Sequence, residues 1–266
     1  MSHNAARMRN SGSSPAGGVV VKPDNGTPPF HFYSPPAMEL FDPNKHLSPP
    51  LRSHAGTSGA PAPLPLNTAA RLNPKLLLIP RVEDCHALWD QYAMLDNIRA
   101  HSTLVADMAH AIGLRARERG IDVSLEALLA AGLLHDLGKT YTIAHGGSHA
   151  QLGAAWVMRE TRNGPIAQAV MFHVHWPWPE DWLDNDGLLL TAVTLYADKR
   201  VKHDAFVGLD ERFEDLHVRY GTSAYARERI TGSHQQGKRV EAALSRRLGV
   251  DLHEYIADSG RLVKRT

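Results

Sequence analysis

The sequence predicts an all-α domain that follows a disordered N-terminal segment, and three observations support this. From Arg81 onward, apolar residues recur at three- and four-residue spacing, as they do on one face of a helix. No convincing alternation of apolar and polar residues, the pattern of a half-buried strand, interrupts this spacing. Thirteen of the 17 prolines fall in residues 1–75, whereas all five tryptophans lie later.

We therefore divide the chain into residues 1–75 and residues 76–266. The first segment mixes proline with Gly, Ser, Asn and Ala, so it buries too little apolar surface to offset the entropy of ordering it. We expect it to be disordered, and its proline content leaves a partner-binding role open. The second segment is long enough for one compact domain with a sizeable core.

Charge and cysteine content narrow the classes of function. The 29 basic and 28 acidic residues give a net charge of +1, so a nucleic-acid partner is not favoured and a membrane partner is not expected. The only cysteine, Cys85, excludes an internal disulfide framework and fits a reducing compartment. The longest apolar stretch, Ala127 to Leu134, is far shorter than the roughly 18 residues of a membrane span, and no apolar leader is visible. We expect a cytoplasmic protein.

The first predicted helices carry the most informative residues. One helix face consists of Ile98, His101, Val105, Met108 and Ile112. Because His101 shares the spacing of its apolar neighbours, it should point into the core. Ser124 is a plausible N-cap for the next helix, and Gly138 stands where a helix often ends in a left-handed residue. Residues 140–147 then read as a loop.

Five further helices are expected. They begin after Ser148 and at Gly164-Pro165, span about Gly187 to Val201 and Asp210 to Tyr220, and end with a long helix that carries Val240, Leu244 and Leu248. The prolines of the segment Trp176 to Trp182 must break the helix before it. Its tryptophans either stack on a nucleobase or, more commonly for such loops, pack back onto the domain.

The stretch Leu133 to Lys139 contains a His-Asp pair at the end of an apolar helix. His135 and Asp136 are awkward as core residues, because a buried carboxylate without a cation is costly. A divalent metal removes this difficulty, since imidazole and carboxylate both bind it well. The pair His203-Asp204 lacks the apolar lead-in and the Gly-Lys that follows, so we do not place it in the site.

Other candidate ligands lie on successive predicted helices. They are His101, His149, His173 and Asp198, with His175 less certain. Each alone would more often be a core or salt-bridged residue than a ligand. Antiparallel helices joined by short loops would bring these positions together, and shared cations would offset the cost of burying them.

These residues resemble a known family. His101, His135-Asp136 and Asp198 are similar to the H…HD…D ligand set of the HD-domain superfamily of metal-dependent phosphohydrolases, and His135 to Lys139 is a variant of its HDIG-type motif. The resemblance covers roughly Val82 to Tyr220. The helix around Asp198 also resembles that of bacterial symmetrical diadenosine-tetraphosphate hydrolases. The family's cyclic-di-GMP branch has adjacent histidines and a Gly-Tyr-Pro element, which this sequence lacks.

The resemblance implies an HD-domain helical bundle and a set of site residues. A first ion would be held by His101, His135, Asp136 and Asp198, and Asp136 would bridge to a second ion held by His149 and His173. Asp136 and Lys139 would act in catalysis, and Lys139, Lys199 and Arg200 would contact substrate. A helix-capping role for Lys139 and solvated or ion-paired roles for Lys199 and Arg200 remain alternatives. The cofactor would be one or two divalent ions, with Mn, Fe, Co or Ni favoured over Mg by the imidazole-rich ligands.

The implied activity is hydrolysis of a phosphoester or phosphoanhydride in a small nucleotide-like substrate by a metal-activated water. Two other functions stay open. One is a non-catalytic, regulatory HD module that binds a nucleotide, and the other is a phosphodiesterase acting on RNA ends or cyclic nucleotides. The expected partner is a small phosphorylated substrate, and a homo-oligomer is compatible with the sequence.

Overall fold

The computed structural model describes residues 78–265 of the chain. The segment expected to be disordered, residues 1–75, lies outside them. The described residues are mainly helical, which confirms the predicted all-α class. The helices are α1 Val82–Gln91, α2 Asp96–Glu118, α3 Leu125–Leu134, α4 Lys139–His145, α5 His149–Thr161, α6 Gly164–Phe172, α7 Leu189–Lys199, α8 Leu209–Tyr220 and α9 Ala224–Leu248.

Two small antiparallel hairpins accompany the helices. Strands β1 Val201–Lys202 and β2 Ala205–Phe206 form the first, and β3 Tyr255–Asp258 and β4 Arg261–Lys264 form the second. These strands were not predicted, because strands of two and four residues are too short to show a clear alternation of apolar and polar residues. The excluded His203-Asp204 pair forms the turn of the first hairpin, away from the helical core.

Helix beginnings largely follow the predicted caps. The Ser124 hydroxyl accepts a hydrogen bond from the Ala127 amide at 3.0 Å, so Ser124 caps α3 as expected. Ser148 caps α5 in the same way through the Gln151 amide at 3.3 Å. Asn163 precedes Gly164-Pro165 and caps α6. Caps thus fix the start of three helices that carry or precede candidate ligands.

Two local predictions around the His-Asp pair were wrong. Residues 140–147 are not a loop, since α4 begins directly at Lys139. Gly138 is not left-handed, because its φ is −78°. Glycine is needed there for space: a Cβ would lie 2.6 Å from the His149 carbonyl oxygen and 2.8 Å from the Gly153 nitrogen. The backbone after Asp136 therefore packs directly against the start of α5.

Helices α2 and α3 form the centre of the domain. The face of α2 predicted to be apolar is buried throughout, and His101 is only 7% exposed. Backbones of the two helices approach closely at Gly132, where a Cβ would lie 2.5 Å from the Ala106 Cα. This contact lies one turn before His135, so close packing of α2 on α3 sets the position of His135 relative to His101.

The segment between α6 and α7 packs back onto the domain. Trp176 is 3% exposed, and its ring lies 5.0 Å from that of Trp178. The Gln236 side chain of α9 accepts from the Trp176 amide at 2.8 Å and donates to the Trp176 carbonyl at 2.9 Å. The packing interpretation of these tryptophans fits the structure better than base stacking. Across residues 78–265, no helix is both long and apolar enough to cross a bilayer.

Candidate metal centre

The six predicted metal ligands meet at one place, where several helices begin or end. His101 lies in the first half of α2, and His135 and Asp136 directly follow α3. The other three come from α5, α6 and α7: His149 begins α5, His173 follows α6, and Asp198 is next to last in α7. Short connections from α3 to α6 and the longer segment from residue 173 to residue 188 before α7 bring these helix ends together in the bundle.

A first cluster forms around His101, His135 and one oxygen of Asp136. Asp136 Oδ2 lies 3.4 Å from His135 Nε2 and 4.0 Å from His101 Nε2. Asp198 adjoins this cluster, because its Oδ1 is 3.1 Å from His101 Nε2 and 3.6 Å from His135 Nε2. Two imidazoles and two carboxylates thus face a common point.

A second cluster uses the other oxygen of Asp136 together with His149 and His173. Asp136 Oδ1 lies 3.3 Å from His149 Nε2 and 3.7 Å from His173 Nε2. The two Nε2 atoms are 3.2 Å apart. Because its two oxygens face different clusters, Asp136 has the geometry of a bridging carboxylate.

Backbone carbonyls orient two of the imidazoles. His135 Nδ1 lies 2.7 Å from the Gly132 carbonyl oxygen, and His173 Nδ1 lies 2.7 Å from the Val170 carbonyl oxygen. A carbonyl only accepts, so in each ring Nδ1 donates, and Nε2 is the nitrogen that faces the cluster. This second hydrogen bond is the usual way in which a protein fixes the tautomer of a metal-binding histidine.

Unpartnered polar atoms indicate that the clusters suit a cation. His135 Nε2 and Asp136 Oδ1 are buried and form no hydrogen bond. Leaving a buried donor or acceptor unpaired costs about 1–3 kcal/mol, and more for a charged group. His135 Nε2 faces the first cluster and Asp136 Oδ1 faces the second, so a dication held by each cluster would satisfy these atoms. Imidazole with carboxylate is a donor set that transition metals favour. The residues present therefore fit the expected metal.

The electrostatics of the cluster keep the carboxylates ionised. Burial alone would raise the pKa of Asp136, but Lys139 and His135 hold it well below its usual range. Burial would likewise lower the pKa of His135, yet the Asp136 and Asp198 carboxylates raise it to about 10. Burial lowers the pKa of His173 to about 3, and the neighbouring imidazoles of His135 and His149 add to the effect. His173 is therefore neutral, which is the form that binds a metal.

Lys139 lies at the partly exposed edge of this centre. Its Nζ donates to Asp136 Oδ2 at 2.6 Å, and 27% of its side chain is exposed. The ammonium is thus in contact with both the cluster and solvent. Burial raises the pKa of Tyr220, at the end of α8, and the charges of Arg219 and, to a smaller extent, Lys139 oppose that rise.

The structure corrects the predicted substrate contacts of Lys199 and Arg200. Lys199 is 5% exposed, and its Nζ donates to the carbonyl oxygens of His173 at 3.0 Å and Val174 at 3.3 Å. Arg200 is fully buried and donates to the carbonyl oxygens of Val207, Leu252 and Tyr255, each at 2.7 Å. Both cations are therefore engaged inside the protein, where a substrate would not reach them. The less certain ligand, His175, is exposed and belongs to neither cluster.

Comparisons with known proteins give matches to the segment of the chain that contains this centre. The family model described as "HD domain" matches residues 98–204. Ribonuclease Y of Mycoplasma mycoides is 39% identical over 101 residues, which are 38% of this chain and 22% of that protein. Ribonuclease Y of Protochlamydia amoebophila is 37% identical over 79 residues, 30% of this chain and 14% of that protein. The chain thus spans less than a quarter of the length of these curated relatives.

A third relative, ribonuclease Y of Opitutus terrae, is 31% identical over 109 residues, 41% of this chain and 20% of that protein. No solved structure matches the chain significantly. The segment matched by the family model includes every residue of both clusters, from His101 to Asp198. The match to the HD-domain model over residues 98–204 agrees with the family resemblance noted in the sequence.

Proposed function

We propose that this protein is a metal-dependent phosphohydrolase that cleaves a phosphoester or phosphoanhydride bond in a small nucleotide-like substrate. The observation that carries the proposal is the position of Asp136. Its two oxygens face two separate groups of buried imidazoles, 3.4 Å from His135 Nε2 on one side and 3.3 Å from His149 Nε2 on the other. This arrangement suits a pair of bridged dications, as two-metal phosphoester hydrolases use.

In this proposal, six residues would bind two ions and Lys139 would contact the substrate. His101, His135, Asp136 and Asp198 would hold one ion, and Asp136, His149 and His173 the other. When bound, such ions lower the pKa of water and neutralise charge on phosphate oxygens. Lys139 would donate to a phosphate oxygen, because its Nζ lies beside Asp136 and reaches solvent. Asp136 would fix the positions of the two ions relative to each other. We propose that Asp136 and Lys139 both act in catalysis.

Charge balance supports an anionic substrate. The two carboxylates Asp136 and Asp198 against two dications leave the centre net positive, and Lys139 adds to this. An imidazole-rich centre suits Mn, Fe, Co or Ni better than Mg, which prefers oxygen ligands. We propose Mn²⁺ for the first tests, because it accepts both imidazole and carboxylate.

RNA is a second candidate substrate, and the relatives are the observation that favours it. The curated proteins that match are named ribonuclease Y, and they match over the HD segment. Against RNA stands the net charge of +1, because affinity for nucleic acid depends on lysines and arginines that neutralise phosphates. We therefore rank a small nucleotide first, with a diadenosine polyphosphate among the substrates to test.

We further propose that one domain extends over residues 76–266, beyond the matched segment. Helices α8 and α9 contribute Phe213, Val240 and Leu248 to the same core cluster as Val105 of α2 and Leu195 of α7. The regulatory, non-catalytic alternative is less favoured, because all six predicted ligands are present and converge. The cytoplasmic location and the oligomeric state stay predictions.

The decisive experiment combines metal removal with a substrate panel. Protein stripped with a chelator should hydrolyse none of the panel, and adding Mn²⁺ should restore turnover of at least one compound. The panel contains nucleoside di- and triphosphates, a diadenosine polyphosphate, cyclic nucleotides and a short single-stranded RNA. Turnover confined to RNA would replace the nucleotide proposal with the second candidate. Full activity without metal would overturn both.

Asp136→Ala is the matched variant for this experiment. It should lose bound metal and turnover together, while circular dichroism shows an unchanged helical content. Unchanged hydrolysis in this variant would remove Asp136 from the mechanism. Binding of a nucleotide without any turnover, in metal-loaded wild-type protein, would favour the regulatory module.

A further inference from the structure

We infer that Lys199 is a positioning residue: its buried ammonium holds His173 in place against the helix that carries Asp198, so that the second metal ion binds tightly. This inference rests on the proposed two-ion centre and names a residue that the ligand set does not contain. The juxtaposition that carries it is the contact of Lys199 Nζ with the His173 carbonyl oxygen at 3.0 Å.

The position of Lys199 in the fold links the two clusters. It ends α7 and follows Asp198, which adjoins the first cluster. Its ammonium crosses to the end of α6, where it also reaches the Val174 carbonyl oxygen at 3.3 Å. His173, in the second cluster, is the residue directly after α6. One side chain therefore ties the backbone of a ligand in the second cluster to the helix that supports the first.

The His173 ring is held by two independent contacts. Its Nδ1 donates to the Val170 carbonyl oxygen at 2.7 Å, which fixes the rotation of the ring relative to α6. The Lys199 contact fixes the backbone from which the ring projects. Without the ammonium, the Val170 contact would still orient the ring, but the end of α6 could shift relative to α7. The separation between His173 and Asp136 would then change.

Burial shows that the ammonium is more than a surface cation. Lys199 is 5% exposed, and its stem passes α9 so closely that a Cβ on Gly237 would lie 3.5 Å from its Cδ. Taking an ammonium out of water costs several kcal/mol unless good partners compensate. The partners here are the carbonyls that follow α6, where a helix end also favours a cation.

Lys199→Met tests the inference, because it keeps a long apolar stem and removes the donors. Metal-free protein is titrated with Mn²⁺ near neutral pH, and bound metal is measured by equilibrium dialysis. Wild-type protein should bind two ions. The variant should keep the first and bind the second about 10- to 100-fold more weakly, the loss typical when a hydrogen-bond partner of a metal ligand is removed. Electron paramagnetic resonance should show coupled Mn²⁺ pairs in wild-type protein and isolated ions in the variant.

Two control variants distinguish a specific effect on the position of His173 from a general loss of stability. Gln236→Leu removes the hydrogen bonds to Trp176, three residues after His173, and should lower stability while keeping both ions. Lys202→Met removes a partly exposed lysine that pairs with Glu211, and it should change neither property. Tight binding of both ions by Lys199→Met would overturn the inference. An equal loss of the second ion in Gln236→Leu would overturn it as well.

A measurement on wild-type protein covers the case in which Lys199→Met does not fold. Among the described residues, Lys199 is the only buried lysine, so its ammonium protons should be the most slowly exchanging in ¹⁵N-lysine spectra. These signals should shift when the second equivalent of diamagnetic Zn²⁺ is added. An unchanged signal at full occupancy would overturn the inference. If wild-type protein binds fewer than two ions, the proposed centre fails instead of the role of Lys199.

Discussion

Asp198 and Arg200 lie two residues apart, but their surroundings differ. The buried charge of Arg200 is satisfied by hydrogen bonds within the protein, whereas buried polar atoms near Asp198 are left without partners. Around Arg200, the guanidinium donates to three backbone carbonyls and to the Tyr196 hydroxyl. Around Asp198, each metal cluster contains a buried atom without any hydrogen bond, His135 Nε2 in the first and Asp136 Oδ1 in the second. A buried charge that is satisfied by the protein stabilises the fold, whereas one that is left unsatisfied marks a place for a ligand.

The two regions also differ in how they connect the elements of the fold. Arg200 joins α7 to the residues before α8 and to the C-terminal hairpin, through the carbonyls of Val207, Leu252 and Tyr255. Glu241 of α9 lies 3.7 Å from its Nη1 and accepts from the Tyr196 hydroxyl at 2.7 Å. The metal centre instead joins helix ends through side chains of which two atoms, His135 Nε2 and Asp136 Oδ1, are buried without a hydrogen bond. The contribution of Arg200 to the stability of the fold should therefore need no metal, whereas the contribution of the region around Asp136 should depend on bound metal.

The largest expected effect is on the free energy of unfolding of Arg200→Met. Removing the guanidinium from a buried charged network leaves three carbonyl oxygens without their donor, so we expect a loss of about 3–5 kcal/mol. Urea denaturation followed by circular dichroism measures it. The exposed Arg246 provides the control, since Arg246→Met should change stability by less than about 0.5 kcal/mol. Similar small losses in both variants would show that Arg200 is not a structural centre.

The second prediction concerns stabilisation by metal. A ligand that binds only the folded state raises stability by about 2.7 kcal/mol at 100 times its Kd. Mn²⁺ should raise the unfolding temperature of wild-type protein, and Asp136→Ala should abolish that rise. Arg200→Met should start lower but gain the same increment, because Arg200 does not contact the clusters. A smaller metal increment in Arg200→Met would mean that the two regions are coupled.

Sequence patterns predicted the metal centre better than they predicted its surroundings. Spacing placed His101 on the buried face of α2, and the motif context separated His135-Asp136 from His203-Asp204. The roles of Lys199 and Arg200 were not predictable, because consecutive residues on a helix point about 100° apart. Being next to Asp198 in sequence therefore puts neither cation in the site. Their partners, from Val174 to Tyr255, come from distant segments that no local pattern identifies.

Gly138 illustrates the same limit within the motif itself. Its φ of −78° would suit any residue, and glycine is required because the backbone of α5 lies against it. Only the packing of α5 on the motif reveals this, and that packing also positions His149. The sequence suggested a turn residue because glycine is common where helices end.

The third prediction uses that contact to disturb one cluster alone. In Gly138→Ala the new methyl group would overlap the His149 carbonyl oxygen, so α5 must shift. We expect a loss of about 1–3 kcal/mol in stability, as for other overpacked sites. Binding of the second ion, which needs His149, should weaken more than binding of the first. Gly164→Ala is the control, because its Cβ would meet nothing within 4 Å.

His149→Ala tests the second cluster from the ligand side. His149 Nε2 lies beside Asp136 Oδ1 but plays no part in the first cluster. Metal content should therefore fall from two ions to one, and the first ion should stay bound. Metal analysis after dialysis measures this directly. Unchanged metal content would argue for a single-ion centre.

The smallest effect concerns Cys85, which shows a third way to bury a titratable group: keeping it neutral. The thiol is fully buried, and burial raises its pKa from 9.0 to about 12. Between these values the unfolded chain loses the thiol proton that the folded protein keeps, so the contribution of Cys85 to stability falls as pH rises through that range. Below it, the folded protein presents almost no thiolate, which is the reactive form. A thiol reagent should therefore leave native protein unmodified at mildly alkaline pH and react fully after unfolding in urea. Rapid reaction of native protein would mean that the packing of α1 on α3 opens readily.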